Sequence, residues 1–253
     1  MSAMTEAPKS RSRKKAPPAE PVAETAPRSW PRRILRWAGR GLAAIAAFYA
    51  ALILLFSFLP PPINLYQIGE SWRLGGISKD WVSWDEIAPV MGRSAVAAED
   101  ANFCLHWGFD MEAIRQAVDE GSTRGASTIS QQVVKNVFLW QGRSYVRKAV
   151  EAMLTPLVEL VWSKQRILEV YLNIAEFDEG VFGVQAAAQH HFGVDARDLS
   201  ALQAARLAAV LPNPKEYSAS NPGNFVRKRT RQIMAGAETI AADGRADFFE
   251  SGD

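Results

Sequence analysis

From Gly41 to Leu59 the chain reads GLAAIAAFYAALILLFSFL, without one charged residue. A helix of that length spans about 28 Å, close to the ~30 Å hydrocarbon core of a bilayer. Pro60-Pro61-Pro62 follows, and proline ends a helix because it lacks the amide hydrogen and crowds the preceding turn. A cleaved secretory signal is the competing explanation, but its apolar region spans only roughly 7–15 residues behind a short leader. Here the run is longer and a long arm precedes it. A retained transmembrane helix is expected over residues 39–60, with everything after Pro62 on the far side.

The arm carries Lys9, Arg11, Arg13, Lys14, Lys15, Arg28, Arg32, Arg33, Arg36 and Arg40, although the whole chain has a net charge of only +2. With almost no large apolar residues before Trp30, residues 1–38 cannot offset the entropy of ordering and are expected to be a disordered basic arm. Cations flanking an anchor stay in the cytoplasm. Their natural partners are anionic lipid headgroups, so nucleic acid is not expected as a partner. Cys104 is the one cysteine among 253 residues, which excludes an intrachain disulfide. The remainder suffices for one domain, expected over residues 61–242, with a polar, flexible tail at 243–253.

Residues 63–80 look irregular, and Trp81 and Trp84 suit either the membrane interface or a core. From Trp84 onward the period is helical, with no convincing strand alternation. Asp110 caps a helix whose stripe Met111, Ile114 and Val118 is expected to face inward. Gly121–Gly125 reads as a loop. The next helix starts near Ser127, turning Ile129, Val133 and Val137 inward; Thr128, Gln131, Gln132 and Lys135 then share the other face. Ser144 caps a long helix with Pro156 inside it, and Ser163 caps another. Ser200 and Gln203 form a capping box before LQAARLAAVL, and a basic helix spans about 225–240.

His190 and His191 are adjacent, so on a helix they point about 100° apart, a poor start for holding one zinc ion. Cys104 and His106 lack further ligands at a recognisable spacing. Ser12 and Lys15 have the spacing of a serine nucleophile motif, but lie in the basic arm. Carboxylates with cations remain. Glu99 stands among alanines, and Glu151 stands among Lys135, Arg143, Arg147 and Lys148. A glycosidic bond needs an acid for a poor leaving group. A glycosyl diphosphate instead needs a base for the attacking hydroxyl and cations where charge builds up. The second problem suits this set better, although a Glu–Asp pair at a helix end is also an ordinary structural feature.

The segments AAEDANFCLHWGFD, GASTISQQVVKN, RKAVE and ILEVYLN occur in this order, and the chain resembles the peptidoglycan glycosyltransferase family from about Val90 to Asn213. The single anchor, the short length and LNIAEFDEGVFGVQAAAQHHFG resemble its monofunctional biosynthetic transglycosylases rather than its bifunctional penicillin-binding members. GAST stands where others have a second glycine, and the Gly121–Gly125 connection is brief. The resemblance implies an all-α, lysozyme-like large lobe with a smaller membrane-proximal jaw lobe. It implies polymerisation of lipid II into a growing glycan strand at the bacterial inner membrane, beside other cell-wall synthesis or division proteins.

Carried over by resemblance, Glu99 is the base acting on the 4-hydroxyl of N-acetylglucosamine. Asp100 orients it, and Glu151 is the second catalytic glutamate. Lys135, Arg143 and Lys148 match diphosphate contacts, with Arg147 beside them. Ser127, Thr128, Gln131 and Gln132 are expected to bind substrate or shape the cleft. No tightly bound cofactor is implied; a divalent cation, magnesium or manganese, could accompany the diphosphate at Glu151. His106 reads as structural. The alternatives are a glycan-cleaving lytic transglycosylase or muramidase, and a non-catalytic anchored scaffold.

Overall fold

The structure, a computed structural model, describes residues 30–119, 121, 127–142 and 144–250. The chain divides into two compact units, Met1–Ile45 and Ala46–Asp253. Helix α1 covers Trp30–Phe56, and its stretch Arg33–Phe56 is long and apolar enough to cross a membrane. Residues 1–29 of the expected arm lie outside the described residues. Residues 30–38 are helical, which corrects the expected arm boundary. Once a helix is nucleated, each further residue adds a hydrogen bond at little cost, and arginine is a good helix former.

The segment expected to be irregular after the prolines holds a helix, α2 (Leu65–Leu74). Asn64 caps it, accepting from the Gln67 amide while the Gln67 side chain accepts from the Asn64 amide, and Gly75 ends it at φ 76°. The same reciprocal cap starts α5 (Ile129–Phe138) with Thr128 and Gln131, and α9 (Ala201–Val210) with Ser200 and Gln203. Ser144 and Ser163 cap α6 (Tyr145–Val161) and α7 (Lys164–Ile174). Each cap satisfies amides that the helix itself leaves without partners.

Helices α3 (Pro89–Glu99), α9 and α10 (Asn224–Ala242) pack on one another. Small buried residues, among them Ala95, Ala204, Ala205 and Ala208, let the axes approach. Helix α5 packs on both α6 and α7, burying Ile129, Val133, Ile167, Leu168 and Tyr171. Buried Asn173 ties α7 to the segment before α3: its amide nitrogen donates to the Val82 and Glu169 carbonyls, and its oxygen accepts from the Val82 amide. Both amide hydrogens and the oxygen of this buried side chain therefore have backbone partners, as burial requires.

The domain is helical, as expected, with one small addition. Strands β1 (Ser78–Lys79), β2 (Glu176–Asp178) and β3 (Val181–Phe182) form a sheet in the order β1-β3-β2, and α8 (Val184–Phe192) packs against it. Two- and three-residue strands are too short to show a period of two, which is why the sequence does not announce them. Helix α4 (Met111–Asp119) is a second difference: it buries no residue fully, and Met111 and Val118 are exposed rather than inward. Trp81 and Trp84 pack against the core.

The expected flexible tail is ordered as far as Glu250. Helix α11 (Asp247–Glu250) seats Phe249 fully inside, edge-on to Trp84 with ring centroids 6.1 Å apart, and Glu250 pairs with Arg93 at 2.6 Å. Phe249→Ala should cost about 3 kcal/mol, the range for emptying a buried aromatic site. Denaturant unfolding of the detergent-solubilised chain measures it, and an unchanged midpoint would show that the tail is not part of the core.

Candidate active site

Two adjoining hollows flank the first turns of α5. One, of about 240 Å³, is lined by Ala97–Asn102, Asp110, Ala113, Ser127 and Thr128, and so contains Glu99. The other, of about 280 Å³, is lined by Gln132, Lys135, Asn136, Tyr66, Tyr171 and Glu176, among others. Gln132 links them: its side chain lines the second hollow while its Nε2 donates to Glu99 Oε2 at 3.0 Å.

Glu99 is the last residue of α3, and Asp100 leaves the helix at φ −161°. Asp100 is buried and engaged on both oxygens. Oδ2 accepts from the Ile129 amide at 2.9 Å, and Oδ1 lies 2.9 Å from His106 Nε2. A second buried acid, Glu159, accepts from Ser130 Oγ and from Lys164 Nζ at 2.9 Å, while Lys164 also donates to the His106 carbonyl. Two carboxylates thus meet the first turn of α5, where the helix dipole favours negative charge. This frame sets α5 against the end of α3, and with it the position of Glu99 relative to Gln132 and Lys135.

Burial pushes the Glu99 carboxyl up from the ordinary carboxylate range, and neighbouring Asp100 pushes the same way. The Gln132 hydrogen bond and the charges of Arg229 and Lys135 hold it back. Arg229 reaches across from α10, donating to the Ala98 carbonyl at 2.7 Å. Such a setting suits proton transfer, because a carboxylate with raised proton affinity is a better base near neutral pH.

The other carboxylate sits in a cluster of cations. Buried Glu151 accepts from Arg147 Nη1 at 2.8 Å on one oxygen and from Lys148 Nζ at 2.5 Å on the other. Arg147 is also anchored by the Gly142 carbonyl at 2.9 Å. Lys135, one turn beyond Gln132, is drawn electrostatically to both Glu151 and Glu99. Burial pulls its pKa down from the ordinary lysine range, and Arg147 and Lys148 add to that. The separate acid and the acid-plus-base cluster expected from sequence are therefore connected through one face of α5.

Not every expected site residue faces the hollows in the same way. Ser127 is exposed on the Glu99 side. Thr128 and Gln131 turn into the structure and form the α5 cap, with Thr128 Oγ1 donating to the Gly108 carbonyl at 2.7 Å. Arg143 lies outside the described residues, as do residues 122–125 of the expected loop. Tyr171 and Arg229 were not singled out by sequence reasoning. Tyr171 lies within ILEVYLN and feels the charges of both Glu99 and Asp100; burial is the main reason its hydroxyl stays protonated. Arg229 carried no local signal beyond a basic helix.

The side chains around Glu151 offer a divalent cation no free carboxylate oxygen of that residue. Both of its oxygens are occupied by cationic side chains, and its charged neighbours are mostly positive. A magnesium ion that accompanies a diphosphate is usually held by one or two carboxylates together with phosphate oxygens and water, so an ion here would have to displace Arg147 or Lys148 from Glu151.

A family model described as Transglycosylase matches residues 68–238. A biosynthetic peptidoglycan transglycosylase of Jannaschia sp. (strain CCS1) is 59% identical over 214 residues, covering 85% of this chain and 90% of the relative. One from Xanthomonas oryzae pv. oryzae is 52% identical over 223 residues, covering 83% and 90%. One from Pseudomonas fluorescens (strain SBW25) is 51% identical over 203 residues, covering 76% and 85%.

Proposed function

The chain belongs to the biosynthetic peptidoglycan transglycosylase family and is a glycosyltransferase; from that premise we propose that it polymerises lipid II into glycan strands. Glu99 takes the proton from the 4-hydroxyl of the N-acetylglucosamine on the incoming lipid II. The freed oxygen attacks the anomeric carbon of N-acetylmuramic acid at the growing end. That carbon inverts, and undecaprenyl diphosphate leaves with the bonding pair. Lys135, Arg147 and Lys148 meet the charge that develops on the diphosphate, where preorganised cations lower the barrier most. Glu151 holds Arg147 and Lys148 in place through its two oxygens.

The observation that carries this reading is the chain of contacts along α5. It runs from Glu99 through its hydrogen bond with Gln132 to Lys135, one turn further along the same helix, and Lys135 feels the charge of both glutamates. A base and a cationic leaving-group site so joined are what a diphosphate donor demands; a hydrolase would need a proton donor at the leaving group instead.

Helix α1 anchors the domain with its arginine-rich flank in the cytoplasm, which confines enzyme and lipid-tailed substrate to one surface and raises their effective concentration. Support for membrane contact beyond the anchor comes from α6, where Val146, Met153, Leu157 and Leu160 are exposed large apolar residues. They recur at helical spacing, as a face meeting lipid would. We assign this region, with exposed Met111 and Val118 of α4, to the small lobe beside the membrane.

Purified full-length protein given lipid II in detergent should produce a ladder of glycan polymer on a gel. Release of short sugars from preformed glycan, without polymer from lipid II, would overturn the proposal in favour of a cleaving enzyme. Absence of either product would favour a scaffold.

A further inference from the structure

Away from the cleft, Asp178 of β2 meets His190 and His191 in the last turn of α8. Adjacent histidines on a helix start about 100° apart, and the sequence alone argues against a shared ligand. The fold overrides that. The sheet packs on α8, and its β2–β3 pairing shifts register between Glu176 and Asp178. In that setting Asp178 Oδ2 stands 3.4 Å from His190 Nε2 and 3.6 Å from His191 Nε2. One ligand atom from each of the three residues falls within 4.8 Å of the others.

These separations are long for hydrogen bonds, particularly the second. The two Asp178 separations are close to the edge of a tetrahedron around zinc, in which ligands at roughly 2.0–2.1 Å from the ion lie about 3.4 Å from one another; the two imidazoles, up to 4.8 Å apart, have to rotate toward each other to share one ion. The other Asp178 oxygen accepts from the Glu179 amide at 2.7 Å, which orients the carboxylate and leaves Oδ2 facing the imidazoles. His191 Nε2 has one further neighbour, the Phe177 carbonyl, at a weak 3.4 Å. The C-terminal end of α8 adds a dipole that favours a cation. His191 is buried, whereas the Asp178 and His190 side chains are partly exposed, which leaves a solvent-facing side on which water could supply a fourth ligand.

We propose that Asp178, His190 and His191 form a binding site for a divalent transition-metal ion of the zinc class, with water as the fourth ligand. Two imidazoles and one carboxylate select such an ion over magnesium or calcium. The ion would tie β2 to α8. Glu176, on the same strand, accepts from Tyr66 at 2.7 Å and lines the hollow that contains Lys135. Metal would therefore stiffen one wall of the cleft without touching the reacting groups. The site stands on its own geometry and does not depend on how the glycosyl transfer is assigned.

The test uses untagged full-length protein in detergent, stripped of metal and titrated with zinc chloride in a calorimeter, with thermal unfolding read in parallel. One zinc should bind per chain, tighter than about 10 µM, and raise the unfolding temperature by mass action; millimolar magnesium should not compete. Asp178→Asn and His190→Ala change solvent-accessible ligands and should each weaken binding at least about tenfold. Circular dichroism of the metal-free variants verifies that they fold. No zinc binding by the parent at about 100 µM, or parent-like affinity in either variant, would overturn the proposal.

Discussion

Replacing Glu99 by glutamine should leave a folded protein that lengthens glycan far more slowly, with turnover lowered on the order of 10²–10⁴, the usual contribution of a positioned general base. The amide keeps the shape and can still meet Gln132 Nε2 through its oxygen, but it cannot take a proton. The stability of this variant separates a catalytic role from a structural one. Burial raises the Glu99 pKa in the folded state, so the folded protein holds that proton more tightly than the unfolded chain. Ionising it therefore subtracts stability as pH rises from the unfolded carboxylate pKa through the raised folded one, and the full penalty remains above it. Glu99→Gln removes the penalty and should unfold no earlier than the parent at pH 7. The same shift puts the acid limb of the parent's pH–rate profile above the ordinary carboxylate range. Gln132→Leu, which removes a hydrogen bond to the carboxylate, should move that limb to higher pH. A Glu99→Gln protein that is folded and polymerises lipid II like the parent would end its assignment as the base.

What the sequence disclosed, and what it hid, divides along contact range. The caps at Thr128, Ser144, Ser163 and Ser200 are legible because each is decided within three residues. Asn64, Gln67 and Gly75 carried equally good signals for α2, but neighbouring glycines obscured them. The ordered Phe249 could not be read, since a partner as distant as Trp84 holds it. Nor could the exposed stripe of α4: amphipathicity says that a face is apolar, not that protein covers it. In the site, Glu99 and the Lys135–Glu151 cluster were legible as residue types, whereas their connection through Gln132 needed α3 and α5 to be packed. Arg229 and the convergence of Asp178 with two histidines depend wholly on tertiary packing. Thr128 and Gln131 illustrate the reverse case, in which a polar stripe suggesting ligand contact is engaged in capping.

Lys135→Met should lower turnover by about 10²–10³ while leaving the protein folded, a loss comparable to deleting one preorganised group that stabilises transition-state charge. Methionine retains an apolar stem of similar length and removes only the cation. Burial already depresses the Lys135 pKa, and Arg147 and Lys148 crowd it with like charge. Keeping that ammonium charged at neutral pH therefore works against folding, and its removal should not lower the unfolding temperature. A residue that costs stability and supports turnover is one held in place for chemistry. The kinetic signature distinguishes two uses of the charge. If Lys135 meets the diphosphate equally before and during departure, only KM rises; if it meets charge that grows as the bond breaks, kcat falls. The second is expected. Lys148→Met supplies the internal comparison, because that side chain is half exposed and already paired with Glu151, so water should blunt its contribution. Turnover should fall less for Lys148 than for Lys135, and the acid limb should move to higher pH in the Lys135 variant, which loses a charge that steadies ionised Glu99. Parent-like kcat in Lys135→Met would remove this lysine from the leaving-group site and leave Arg147 to be tested in its place.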